Sequence, residues 1–245
     1  MLKRMAISMH CVERNVKVNL GCGPVSKDDW INVDYGMLAL LGKYPLLKKI
    51  SLGLRMFPRD YAKWKWPKNL VIHDCRKKLP FKDKTVDFIY TSHLIEHFPK
   101  YDAIGMLKEC LRILKFGGYI RVVVPDLELL ARKYVERDHD FFIGNSPTRS
   151  FQDMCLADLF LTHFYPKKNR EPINSLLGKL YDKFTRWHLW HYDFESLSLI
   201  LKDSGFFEIK RRKHREGNVP DIEFLDRFPN ESLFVEATKP HEKAQ

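Results

Sequence analysis

The segment that most narrows what this chain can fold into is Val18-Asn19-Leu20-Gly21-Cys22-Gly23-Pro24. Residues 16–20 alternate as a strand does, and a G-x-G turn stops them. Glycine lets the backbone turn sharply and approach a ligand closely. In a parallel sheet, ligands bind outside the carboxyl ends of the strands, near the point where strand order reverses. The turn alone is a weak signal, because any tight strand exit can use glycine. Ser26 stands where a dinucleotide fingerprint needs its third glycine, and no G-K-[ST] follows, which excludes a P-loop.

The rest of the chain repeats the strand-then-helix rhythm. Further strands are predicted at 31–34, 70–74, 86–91, 119–124, 206–211 and 232–238. Helical stripes cover 102–115, 126–137 and 194–204. Asp102 and Asp193 are the expected N-caps, and Gly117 and Gly205 the expected stops. Such alternation predicts a mostly parallel sheet covered on both faces. Residues 36–69 and 138–192 do not fit a minimal unit. They read as insertions on one domain spanning 1–245, forming a lid or an acceptor-side cap.

With 245 residues, 44% of them hydrophobic, the chain can build one full core. No apolar run reaches the roughly 18–20 residues of a membrane span. The start has no cleavable leader pattern, so the chain is expected to begin near Met1 and to work in the cytoplasm. Five scattered cysteines without CxxC spacing argue for reduced thiols and against a cysteine-rich zinc site. The net charge of +11 favours anionic partners but does not select one.

Two acids sharpen the glycine turn. Asp34 closes the second strand, where a carboxylate can accept from both hydroxyls of a ribose. Asp74 follows the third, placed to meet an adenine amine. With Trp30-Ile31-Asn32-Val33, Cys75-Arg76, Leu79-Pro80-Phe81, residues 86–90, His93-Leu94-Ile95-Glu96-His97 and residues 111–118, these resemble the Rossmann-like S-adenosylmethionine-dependent methyltransferases, more narrowly the type 11 group. The resemblance spans about 16–125. It implies a doubly wound α/β sheet of about seven strands with the last antiparallel. It also implies S-adenosylmethionine as cofactor and S-adenosylhomocysteine as product. Asn19, Gly21, Cys22, Gly23, Asp34, Asp74, Cys75 and Ser92 would contact the cofactor, with the glycines at its methionine part, Asp34 at the ribose and Asp74 with Cys75 at the adenine. One departure stands out. Only about ten residues separate Gly23 from Asp34, so the first crossover must be abbreviated.

A hydroxyl acceptor must lose its proton, and histidine is the natural base near neutral pH. His93, just past the fourth strand, is the leading candidate for acceptor contact. His97 lies four residues on, and its Glu96–His97 pair reads more as a loop-shaping element than as direct chemistry. Zinc is not expected, because this spacing supplies too few ligands. Residues 187–193 (Trp187-His188-Leu189-Trp190-His191-Tyr192-Asp193) form either an acceptor pocket, with His188 as a catalytic candidate, or a packed aromatic hinge. His163 with Tyr165 is a fainter version of the same pattern. Residues 211–215 are a basic run, either a solvated face or a phosphate attractor. Lys43, Lys48, Lys49 and Arg55, interleaved with leucines, predict a lid helix in preference to a peripheral membrane helix. The expected acceptor is a sugar or glycan hydroxyl or another small molecule, including phosphate-bearing or lipid-linked ones. An RNA methyltransferase and a non-catalytic cofactor-binding module are the alternatives.

Overall fold

The computed structural model describes residues 15–53, 63–144, 154–164 and 188–242. Tyr165, Trp187, Arg55 and Met1, named above, lie outside them. The strands are β1 (Lys17–Leu20), β2 (Ile31–Asp34), β3 (Leu70–Ile72), β4 (Val86–Ser92), β5 (Leu114–Pro125), β6 (Phe207–Arg212) and β7 (Ser232–Thr238). They form one sheet in the order β3-β2-β1-β4-β5-β7-β6. Strands β3 to β5 pair in parallel, and β7 inserts antiparallel between β5 and β6. This is the expected α/β sheet, and its order reverses at β1 and β4, beside the glycine turn.

The described helices are α1 (Met37–Lys43), α2 (Pro45–Gly53), α3 (Lys100–Ile113), α4 (Leu127–Val135), α5 (His139–Gly144), α6 (Leu156–Phe164), α7 (Phe194–Asp203) and α8 (Ile222–Leu225). Helices α3 and α7 bury Leu107, Cys110, Leu197 and Ile200 against Val18, Leu20, Ile89 and Val122 of the sheet. Asp193 caps α7 reciprocally with Ser196, as expected, and Asp126 caps α4 by accepting from Leu129 N–H at 3.2 Å. Three local expectations are corrected. Pro99, not Asp102, caps α3. Gly117 does not stop that helix. It lies inside β5 at φ +72°, where its N–H donates to the Lys239 carbonyl at 3.0 Å. The basic leucine-rich stretch is not one helix, because Tyr44 and Pro45 divide it into α1 and α2.

The abbreviated crossover is real, and side chains replace the missing helix. Between Gly23 and Trp30 there is no helix. Asn19 and Asn32, both buried, pin the loop instead. Asn19 Nδ2 donates to the Val25 carbonyl, and Asn32 Nδ2 to the carbonyls of Lys27 and Trp30, all at 3.0 Å. Trp30 covers the vacated face, packing with Tyr90, Val219, Ile222 and Phe234. Its indole N–H donates to Asp221 at 2.8 Å, and Lys17 and Lys27 pair with the same carboxylate.

On that face, Arg121 of β5 is fully buried. It donates to both oxygens of Asp226 (2.9 and 2.6 Å) and to Glu236 of β7 at 3.1 Å. Glu236 also accepts the backbone N–H groups of Asn218 and Val219. Buried charges of this kind stand only while all partners are present. Asp226→Ala is expected to cost roughly 3–5 kcal/mol. Chemical denaturation reads this directly, and a loss under about 1 kcal/mol would show the network to be dispensable.

Candidate functional site

The glycine turn folds onto the end of β2, where the N–H groups of Gly21 and Cys22 both donate to the Val33 carbonyl (2.8 and 3.2 Å). Gly21 has φ +68°, and a Cβ there would meet the Leu94 side chain at 2.9 Å. Gly23 has φ +53°, but a Cβ there would enter open space. Its N–H donates to Asp34 Oδ2 at 2.7 Å, and Tyr35 N–H donates to Oδ1 at 2.6 Å. Asp34 is therefore fixed beside the turn by backbone donors, at the carboxyl end of β2.

Asp74 lies two residues beyond the end of β3 and is buried. It accepts Arg76 in a bidentate pair at 2.9 and 2.6 Å. Cys22 packs with Ala39 and Leu70, and Cys75 enters the main core, so only their backbone can serve a ligand. Burial, followed by the nearby Asp34 charge, pushes the Cys22 thiol up and keeps it protonated. Asn19 is occupied by the crossover and Asn32. Ser92 ends β4, paired to Val123.

Beyond Ser92 the chain turns through His93 at φ +51°, and a 3-10 turn follows at Ile95–His97. His93 is held at both ring nitrogens. Nε2 lies 3.1 Å from Ser232 Oγ, and Nδ1 lies 3.3 Å from Glu96 Oε1. Glu96 is fully buried, yet neither carboxylate oxygen accepts an aligned hydrogen bond. Burial raises its pKa, but His93, with the fields of His97 and His188, outweighs burial and holds the carboxyl below its usual range.

The 188–193 segment is drawn into this corner by backbone bonds. The N–H groups of Leu189 and Trp190 donate to the Glu96 carbonyl at 2.7 and 3.1 Å. Tyr192 bridges to Asp126 at the end of β5, and its carbonyl accepts from Leu127 N–H at 3.0 Å. The His188 ring therefore sits 4.8 Å from that of His97 and 5.6 Å from that of His191. His163 of α6 joins through its carbonyl, 2.9 Å from His188 Nδ1. Burial lowers both His163 and His188 to about 4, so both are neutral at physiological pH. Leu189 and Trp190 stay 54% and 43% exposed at the rim of this cluster.

The three histidines singled out from sequence thus converge with Glu96, His163 and His191 at the carboxyl ends of β4 and β5. Spacing could not show that His188 meets His97, nor that Phe228 and Ser232 hold His93. The basic run is largely consumed within the protein. Arg211 pairs with Asp126 and Glu128, Arg212 with Glu236, and Lys213 with Glu216.

Residues 50–122 match a family described as a methyltransferase domain. No curated protein matches the sequence. Among solved structures, the chain is similar to a Thermotoga maritima S-adenosylmethionine-dependent methyltransferase described as a possible histamine N-methyltransferase (17% identity, 91% of this chain and 81% of that one, TM-score 0.45). It is also similar to S-adenosylmethionine-dependent methyltransferases from Archaeoglobus fulgidus (18%, 92% and 86%, 0.45) and Methanosarcina mazei (16%, 94% and 95%, 0.44). At these scores and identities they carry no argument about acceptor or site.

The two glycines separate strain from crowding. Gly23→Ala is expected to cost about 1 kcal/mol, the left-handed backbone penalty alone. Gly21→Ala adds a clash with Leu94 worth a further 1–3 kcal/mol or so. Thermal melts of both variants check this, and equal losses would mean that Leu94 moves aside freely.

Proposed function

We propose that the chain is an S-adenosylmethionine-dependent methyltransferase of the Rossmann-like class, and that it methylates a hydroxyl of a sugar or glycan, or of another small acceptor. The observation that carries this reading is the cluster of imidazoles around buried Glu96, with His188 held neutral by burial and Trp190 exposed at the rim. Aromatic faces suit a sugar ring, and neutral imidazoles can hold a hydroxyl.

S-adenosylmethionine supplies a methyl group already activated on its sulfonium. The residues fit that cofactor at the glycine turn. The open space above Gly23 accepts a close ligand, and the Asp34 carboxylate, fixed beside it, suits a ribose diol. Arg76, whose side chain is 38% exposed, must yield part of Asp74 to an adenine amine. The protein's remaining task is alignment and exclusion of water. His93, locked by Ser232 and approached by Glu96, is suited to positioning the acceptor. His97 and His188, whose rings stand 4.8 Å apart beside Glu96, are the further candidates for acceptor contact. Helices α1 and α2 stand after β2, where a lid or acceptor-side cap would sit, and α2 exposes Leu46, Leu47 and Ile50 beside Lys48 and Lys49. No described helix is long and apolar enough to cross a membrane. The pairing within 211–213 removes most of the support for an RNA acceptor.

Two outcomes are expected. Asp34→Ala should weaken S-adenosylmethionine binding at least tenfold, roughly 1.4 kcal/mol, by calorimetric titration. Unchanged affinity would remove Asp34 from the site. Labelled methyl from S-adenosylmethionine, offered with glycan, RNA, protein and small-metabolite fractions, should appear in the glycan or small-molecule fraction. Label confined to RNA or protein would sink the proposed acceptor.

A further inference from the structure

We propose that Glu96, His97 and His188 form a binding site for one divalent transition-metal ion of the zinc class. Each offers one ligand atom, and these atoms lie within 4.8 Å of one another. Spacing within 93–97 argued against zinc because it supplied too few ligands. The fold provides the missing one from a distant part of the chain, through the two backbone bonds that clamp 189–190 onto the Glu96 carbonyl.

Glu96 is the decisive observation. Its side chain has no exposure, and neither oxygen accepts a hydrogen bond. Buried charges in proteins are paired, hydrogen-bonded or bound to metals. Among the described residues the only close cation source is imidazole, and His93 Nδ1 at 3.3 Å is not aligned to donate. Unpartnered buried atoms also gather nearby, at His191 Nε2 and the Tyr192 hydroxyl. The polar interior of this corner is therefore incomplete on the described residues.

His188 is already arranged as a ligand. A carbonyl can only accept, so His188 Nδ1, 2.9 Å from the His163 carbonyl, carries the proton. That leaves the lone pair on Nε2, and it is the outer contact that orients metal-bound imidazoles. Bonds of about 2.0–2.1 Å put tetrahedral ligand atoms roughly 3.3 Å apart. Metal binding must therefore draw the three ligand atoms closer than the 4.8 Å they span here. Two imidazoles and one carboxylate favour zinc, iron(II), cobalt or nickel over magnesium or calcium, which take oxygen ligands. Three protein ligands leave a further position for a water or an acceptor oxygen. The proposal does not depend on which acceptor is methylated.

The test uses full-length, untagged protein stripped with a chelator. Zinc titrated calorimetrically should bind at one equivalent with a dissociation constant of micromolar or tighter. His188→Ala and His97→Ala should each weaken it at least tenfold, while His139→Ala, exposed at the start of α5, should not. Circular dichroism of the metal-free variants confirms that they fold. Cobalt(II) added to the wild type should give the absorption bands of a low-coordinate site, a readout that needs no variant. Absence of stoichiometric binding, or binding that His188→Ala and His97→Ala leave unchanged, overturns the site. S-adenosylmethionine affinity, measured on the same samples, reports the methyltransferase reading separately.

Discussion

Parallel pairing of β1 with both β2 and β4 is the constraint on which the rest of this protein depends. Parallel strands need crossovers, and right-handed crossovers return every chain to the same starting edge. The carboxyl ends of β1, β2, β4 and β5 consequently line one rim. Gly21, Asp34, Ser92 and Asp126 all stand on it because of that register, although they are scattered in sequence. The central pairs Leu20↔Val33 and Leu20↔Thr91 put the glycine turn between its two neighbours with no contribution from any loop.

The short first crossover shows how the frame tolerates the loss of a helix. A parallel sheet must be covered on both faces. Here the face is covered by Trp30 and by the 217–226 segment, which the buried Arg121 ties to β5 and β7. Gly217 sits where any Cβ would strike Glu236 at 2.0 Å, so the segment can approach that carboxylate only as glycine. Charge thus replaces helix packing as the means of holding the cover. This explains why so many ionised groups are buried on one side of the sheet, while the α3–α7 side is apolar.

Much of this frame was legible in the sequence. Local patterns marked each strand, although β5 starts five residues earlier than its β-branched run, and Asp193 announced its helix through local capping chemistry. Failures came where tertiary contacts override local signals. Gly117 has the look of a helix stop, but its positive φ serves a kink inside β5, bonded to Lys239. Tyr44-Pro45 divides a leucine-lysine pattern that periodicity reads as continuous. In the site, single residues were legible and their meetings were not. His93, His97 and His188 each stood out, yet nothing local tells that the Glu96 carbonyl receives two N–H groups from 189–190. The two ends of that contact are separated by several intervening elements, and sequence periodicity carries no such information.

The same reasoning decides how the net charge should be weighed. A total of +11 suggests a polyanion partner only if the cations are exposed together and unspent. The densest run, 211–215, fails that condition. Arg211 neutralises Asp126 and so fixes the N-cap of α4 beside the site, and Arg212 completes the shell around Glu236. These arginines work inward, on carboxylates the fold has buried. Lys48 of α2 also turns inward, donating to the Trp64 carbonyl at 2.8 Å, whereas Lys49 is exposed and interleaved with exposed Leu46, Leu47 and Ile50. There, charge and apolar surface share one helix that follows Asp34 in the chain. Among the described residues, the arginines of the basic run therefore serve first to neutralise interior carboxylates, so the net charge alone does not point to a nucleic acid.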